Sequence, residues 1–201
     1  MIALLNLIVL VAATLLFLYY YIRSVIPAAR EMVSGPEAYA ECARDRVIAI
    51  IFEFITLLCY GIYFFFPLPA PIPAHFPWPW WGSLIIGTLI GIPATLLMVK
   101  GLLDAGEEAA RPKKEHPMYS GIYNRIRHPQ AAGEVFLWLA IAFLLHSSFL
   151  AVYSLVYFPI FLVMCLVEEN DLMIRFGQAY ADYCRQVGAF FPKRKPDDTP
   201  E

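Results

Sequence analysis

Apolar residues occupy five long blocks of the 201-residue chain, and most charged residues lie between these blocks. The blocks are Ile2–Ile22, Val47–Phe66, Trp80–Leu103, Ala131–Leu145 and Phe149–Val167. A bilayer core of about 30 Å requires roughly 20 helical residues to cross it. The first three blocks reach that length, the fifth nearly does, and the fourth is short unless protein surrounds it. The pattern therefore predicts an all-α integral membrane protein with about five transmembrane helices, the last two of which form a hairpin.

The distribution of basic residues predicts the topology. If the chain crosses the membrane five times, all fifteen Lys and Arg residues fall on one side. The opposite side receives the Pro67–Pro79 loop and the turn at residues 147–148, neither of which contains Lys or Arg. Cytoplasmic loops carry an excess of Lys and Arg, so we expect the N-terminus outside and the C-terminus in the cytoplasm. The first block lacks a preceding basic residue and is longer than a signal-peptide core, so it is interpreted as an uncleaved anchor.

Composition excludes several classes of protein. Hydrophobic residues make up 60% of the chain and charged residues 16%, whereas soluble domains have about 45–50% and 25%. These values exclude a disordered chain and a secreted disulfide scaffold. The formal net charge of −2 provides no overall attraction to nucleic acid. The four cysteines lack the spacing of a metal site, so no bound metal is expected.

The polar segments that flank the last two blocks carry the candidate chemistry. The predicted cytoplasmic loop Asp104–Gln130 holds two of the four histidines, and Glu168–Glu201 follows the last block. In this tail, apolar and polar positions recur at steps of three and four residues, which predicts that the last helix continues into the cytoplasm. Glu169 heads the packed face of that helix, where a carboxylate requires a partner.

A series of motifs in the second half of the chain resembles one enzyme family. The motifs, in order, are Gly121-Ile-Tyr-Asn-Arg-Ile-Arg-His-Pro129, Gly133, a helical hairpin, Glu168-Glu169 and Phe176-Gly-x-x-Tyr-x-x-Tyr183. Together they resemble the isoprenylcysteine carboxyl methyltransferase family, within the wider phospholipid methyltransferase group. The resemblance extends from about Asp104 to Pro192. The family's usual Gly-Pro-Tyr is Gly-Ile-Tyr here, and the aromatic residue expected two positions after the proline is Ala131.

The resemblance implies a membrane enzyme that uses S-adenosylmethionine, releases S-adenosylhomocysteine and has its active site facing the cytoplasm. It implies a catalytic region over 104–201, with the three helices of 1–103 bracing the fold. The residues implied at the methyl donor are His116, Pro117, Met118, Tyr119, Tyr123, His128, Pro129, Glu168 and Glu169. The residues expected to act on the acceptor are Arg127, Arg125 and Glu134.

These residue types fit methyl transfer to a carboxylate. Glu168 or Glu169 can pair with the donor's ammonium, and an Arg can hold a carboxylate. An acceptor carboxylate is already ionised at neutral pH and needs no general base, so alignment alone can supply roughly 7–11 kcal/mol of rate enhancement. Glu134 is an acid within an apolar block, a position that is functional by default. We expect the acceptor to be the carboxylate of a prenylated cysteine or a similar lipid-borne acid that enters from the bilayer among the membrane lipids.

Three other functions remain open. Methylation of a phospholipid amine requires a base, for which His128 or His116 can serve. A membrane reductase that uses NADPH is a second alternative, because Gly133-Glu134 follows an Arg-His loop as in some sterol-type reductases. The third is a non-enzymatic membrane scaffold that retains the motif.

Overall fold

The computed structural model describes residues 1–69, 71–118 and 120–193. These residues form eight α-helices and two short 3₁₀ helices, and no β-strand is present among them. The helices are α1 Ile2–Ser24, α2 Pro27–Ser34, α3 Ala38–Phe65, α4 Trp80–Ala105, α5 Pro129–Leu144, α6 Ser148–Ser154, α7 Tyr157–Phe176 and α8 Gln178–Gln186. The 3₁₀ helices are Gly106–Ala109 and Gly121–Asn124. The predicted all-α class is therefore confirmed.

Four helical segments of the described chain are long and apolar enough to cross a membrane: Ile2–Ser24, Ala38–Phe65, Trp80–Ala109 and Ser148–Phe176. They correspond to the first, second, third and fifth apolar blocks of the sequence. The fourth block is α5, a shorter apolar helix of 16 residues. An integral membrane protein follows from these segments, while a count of five spans and the side on which each terminus lies stay predictions.

Aromatic side chains hold α1, α3, α5 and α7 together in one core. Trp138 of α5 stacks on Tyr157 of α7 with ring centroids 4.8 Å apart, and Tyr60 of α3 packs against Trp138 at 5.1 Å. The hydroxyl of Thr14 in α1 lies 3.3 Å from that of Tyr157. These buried polar atoms are thus satisfied within the core, as a low-dielectric environment requires.

Close packing of α4 against α5 fixes the start of α5. A Cβ atom at Gly133 would lie only 2.5 Å from the carbonyl oxygen of Ala94 and 2.6 Å from the amide nitrogen of Met98. A Cβ atom at Gly101 would lie 3.0 Å from the ring of Pro129. Glycine at these two positions allows the helix backbones to approach closely. The residues just before and after Pro129 are consequently held against the C-terminal half of α4.

The tail differs from the continuous helix predicted from its periodicity. Helix α7 ends at Phe176, and Gly177 adopts φ +57°, so α8 starts in a new direction. A left-handed backbone at this position is characteristic of a glycine that ends a helix. After α8 the chain returns to α5, where the amides of Arg127 and His128 donate to the carbonyls of Gly188 and Ala189 at 2.9 and 3.0 Å. The tail thereby packs against the start of α5.

Candidate functional site

The turn before α5 meets the end of α7 through a buried ion pair. Nε2 of His128 donates to Oε1 of Glu169 at 2.7 Å, and Nδ1 of His128 lies 3.6 Å from Oε2 of Glu168. Burial alone lowers the pKa of His128, but its hydrogen bonds with Cys165, Glu168 and Glu169 outweigh burial and raise the pKa to about 11. His128 is therefore protonated at neutral pH, and its proton is directed at the two carboxylates.

The Arg127 side chain forms its hydrogen bonds with other residues of the protein. Its Nε donates to Oε1 of Glu169 at 2.8 Å, and its Nη1 donates to the carbonyl of Val187 at 2.6 Å. Burial lowers the pKa of Arg127, but the hydrogen bond with Glu169 and its charge outweigh this effect and raise the pKa. The guanidinium thus joins α7 to the returning tail, and its donors are committed to these partners.

A cavity lies beside this ion pair, between α1, α3, α5, α7 and α8. It encloses about 640 Å³ of empty space, including the part open to solvent. Predicted site residues in its lining are Tyr123, Arg127, His128, Pro129 and Glu168. Glu169 is not among its lining residues. Glu168 therefore faces the cavity, and Glu169 holds His128 and Arg127 from behind.

Tyr123 fixes the geometry of the loop side of the cavity. Its hydroxyl donates to the carbonyl of Gly101 at 3.2 Å and accepts from Nε2 of Gln130 at 2.8 Å. Its carbonyl accepts a hydrogen bond from the hydroxyl of Tyr183 at 2.7 Å. Burial raises the pKa of Tyr123 well above its usual range, so the phenol is neutral. Tyr123 therefore joins α4, α5 and α8 around the cavity.

The loop that contains His116, Pro117 and Met118 is anchored to the end of α7 by Arg175. Nη1 of Arg175 donates to Oε1 of Glu108 at 2.6 Å, and Nη2 donates to the carbonyl of His116 at 3.1 Å. His116 also pairs with Glu108 through its Nδ1. Arg175 was not among the predicted site residues, and its position on α7 near the membrane boundary gave only the signal of an interfacial arginine.

Two further cavities extend from the first one toward this loop. One, of about 290 Å³, shares Tyr180 and Tyr183 with the first cavity and is also lined by Pro117 and Met118. The next, of about 580 Å³, is lined by His116, Pro117 and Met118. The structure thus brings the predicted loop residues beside those from α5, α7 and α8. The predicted residue Tyr119 lies outside the described residues.

Two of the residues predicted to act on the acceptor lie away from the first cavity. Arg125 is exposed and is not among the cavity's lining residues in the described chain. Glu134 lies on α5 in a different cavity, where it faces Glu53 of α3.

Two residues from the first half of the chain were missed. Tyr21 of α1 and Arg46 of α3 line the first cavity, with the guanidinium of Arg46 centred 5.7 Å from the Tyr21 ring. Arg46 also donates to the carbonyls of Ser24 and Ala109. In the sequence, Arg46 stands out only as a basic residue before an apolar block. Arg46 is far from His128 in the chain, so the sequence did not indicate that the two residues line one cavity. The first half of the chain therefore supplies part of the cavity wall.

A family model described as phospholipid methyltransferase matches residues 83–179, just under half of the chain. This match supports the wider phospholipid methyltransferase group. It begins in α4, ends in α8 and includes His128, Glu168 and Glu169. Together with the four apolar helices it indicates a membrane methyltransferase, and methyltransferases of this group generally use S-adenosylmethionine. No significant match to a curated protein was found.

Proposed function

We propose that this protein is a membrane methyltransferase that uses S-adenosylmethionine and methylates a lipid-borne acceptor at the cytoplasmic face. The observation that carries the proposal is that the adjacent residues Glu168 and Glu169 have different surroundings. The Glu168 carboxylate lines the cavity, whereas the Glu169 carboxylate forms ion pairs with Arg127 and His128. An anionic group that faces a cavity is suited to pair with the ammonium of an amino-acid moiety.

The cavity lining fits the rest of the donor as well. The guanidinium of Arg46, which lines the cavity, offers positive charge for the donor's carboxylate. The rings of Tyr123, Tyr180 and Tyr183 offer aromatic faces, which attract cations such as a sulfonium. When bound, S-adenosylmethionine supplies an electrophilic methyl group. The residues of this chain bind and orient the reactants, and such alignment lowers the activation barrier by up to roughly 7–11 kcal/mol.

The geometry favours an amine acceptor over a carboxylate acceptor. Neither arginine expected to hold a carboxylate such as that of a prenylated cysteine is placed to do so, because Arg127 is committed to Glu169 and Val187 and Arg125 lies away from the cavity. An amine must lose a proton before attack. His128 is already protonated, so that proton has to pass to a carboxylate or to water.

Donor binding to the purified protein in detergent tests the proposal. We expect S-adenosylmethionine to bind and NADPH not to bind in parallel calorimetric titrations. Glu168→Gln is expected to weaken donor binding at least tenfold with little change in thermal stability. Asp182→Asn, an exposed acid-to-amide change on α8, is the matched control and should bind the donor like the wild type. Unaltered binding by Glu168→Gln, or binding of NADPH alone, would overturn the proposal.

Methyl transfer distinguishes the acceptors. Vesicles that contain phosphatidylethanolamine, and separately a prenylcysteine acid, are incubated with the protein and methyl-labelled donor. We expect label in the phospholipid. Label in the prenylcysteine alone would refute the amine as the acceptor, although the protein would still be a methyltransferase.

A further inference from the structure

Two carboxyl groups face each other inside the apolar part of the fold, apart from the donor cavity. Glu53 of α3 and Glu134 of α5 are close enough to share a hydrogen bond when one of them is protonated. Glu53 lies six residues into its apolar block, and Glu134 lies five residues after Pro129. At 1.5 Å per residue, Glu53 is about 9 Å beyond the start of its apolar block, and Glu134, three residues after Ala131, is about 5 Å beyond the start of its own. Acids at such depth require a partner.

The cavity between these two acids has no basic residue to neutralise them. It encloses about 420 Å³ of empty space and is lined by Glu53, Phe54, Leu57, Glu134, Leu137, Trp138 and Ile141. Lys and Arg are absent from this lining among the described residues. The counter-charge for an ionised acid must therefore come from a proton or from a ligand.

Two buried polar atoms in this cavity lack hydrogen-bond partners. Oε1 of Glu134 and Nε1 of Trp138 make no hydrogen bond within the described part of the chain. The Trp138 side chain is more than nine-tenths buried, at 4% exposure, and it is a neighbour of Glu134. A buried donor or acceptor without a partner loses its hydrogen bonds to water and gains none in return. These two atoms are the complementary contacts that a polar ligand can satisfy.

The cavity borders on the lipid-facing surface rather than on the cytoplasm. Phe54 is 66% exposed and Leu57 is 41% exposed, and both lie on the outer face of an apolar helix. An apolar entrance of this kind admits the hydrocarbon part of a membrane-dissolved molecule. On the inner side, Tyr21 lines the donor cavity and also interacts electrostatically with Glu134, so the two cavities are neighbours.

From these features we infer that Glu53, Glu134 and Trp138 form a second site, which binds the protonated amine head of a molecule dissolved in the bilayer. When the ammonium binds, the shared proton is released from the carboxyls to water, and the ammonium takes its place because a cation with several N–H donors can serve both acids at once. The indole N–H of Trp138 lies beside Glu134 and can donate to an oxygen next to the amine. The inference rests on this cavity alone and not on methyl transfer.

Thermal stabilisation by added ligand, measured without methyl donor, tests the site. The protein is placed in phosphatidylcholine nanodiscs, and phosphatidylethanolamine, a long-chain alkylamine, phosphatidylglycerol or free ethanolamine is added. A ligand that binds only the folded state raises the midpoint of unfolding. We expect phosphatidylethanolamine and the alkylamine to raise it, and phosphatidylglycerol and free ethanolamine to leave it unchanged. A response to phosphatidylglycerol, or an equal response to free ethanolamine, would overturn a bilayer-derived amine as the ligand.

Variants assign the response to the acids. Glu53→Gln and Glu134→Gln should each reduce the apparent affinity for the alkylamine at least tenfold, and Glu115→Gln, an exposed acid in a cytoplasmic loop, is the matched control. Infrared spectroscopy of the wild type provides a second readout, since the band of a protonated carboxyl should diminish when the amine binds. Unchanged affinity in both Gln variants, or an unchanged carboxyl band at saturating amine, would contradict the site. Glu168→Gln should keep the full amine response, so failure of the donor site and failure of this site give different results.

Discussion

Two adjacent carboxylates at the end of α7 have different environments although the sequence presents them as a pair. Residues next to each other on a helix point about 100° apart, so Glu169 meets His128 and Arg127 while Glu168 faces the cavity. These acids in turn stabilise the protonated form of His128. The chemistry of the site is therefore set by the direction of each side chain rather than by residue type.

Replacing His128 by Asn tests the ion pair through its pH dependence. The pKa of His128 is about 11 in the folded protein and about 6.5 in an unfolded chain. Its contribution to stability is therefore fully present below about pH 6.5 and is lost as the pH rises toward 11. We expect the free energy of unfolding of His128→Asn to fall furthest below the wild type near pH 6, with the difference shrinking steadily toward pH 10.

Chemical denaturation in detergent at several pH values measures this difference. His75→Asn, far from the site in the Pro67–Pro79 loop, corrects for the general effect of removing an imidazole. A difference that grows with pH would show that His128 is neutral in the folded protein.

At the scale of the elements, glycines decide how the helices approach and where they end. Gly133 brings α5 against α4, and Gly177 turns the chain between α7 and α8. Both effects place site residues: the first positions the turn that carries His128, and the second brings Tyr180 and Tyr183 over the cavity. The packed helix pair is therefore part of the site's construction.

A single methyl group at Gly133 is expected to disrupt this packing. Gly133→Ala would place a Cβ 2.5 Å from a backbone oxygen of α4, and overpacking of this kind costs about 1–3 kcal/mol. Gly61→Ala in α3, where a Cβ meets nothing within 4 Å, is the matched control. It should be neutral or slightly stabilising, since Ala has the higher helix propensity. Thermal unfolding in detergent compares the two variants, and equal stability would mean that α4 and α5 are further apart.

At the scale of the whole molecule, the placement of all basic residues on one side determines the predicted orientation. An impermeant maleimide applied to intact cells tests it, with the cysteine variants Pro73→Cys in the loop before α4 and Glu115→Cys in the loop after it. We expect labelling of Pro73→Cys only, because the positive-inside rule places residue 115 in the cytoplasm. The unsubstituted chain, whose four cysteines include three buried ones, measures the background. The reverse labelling pattern would invert the topology and place the site outside.

Local patterns of the sequence predicted the apolar helices and the group of residues near the site. The length of an apolar block decides whether a helix can span a bilayer, and this property needs no knowledge of the fold. The Arg-His-Pro and Glu-Glu motifs likewise lie in the elements that build the cavity. The helical tail was foreseen, but its break at Gly177 was not, because the periodicity continues across it.

Only the tertiary structure decided which atoms meet. The sequence could not separate Glu168 from Glu169, bring Tyr21 and Arg46 to the cavity, or place Glu53 opposite Glu134. Each of these relations joins residues that lie far apart in the chain or depends on the rotation of a helix about its own axis. The hydrophobicity and charge of a segment can be read from its residues alone. An ion pair or a shared proton instead requires two side chains to lie about 3 Å apart. Those distances exist only after the helices have packed.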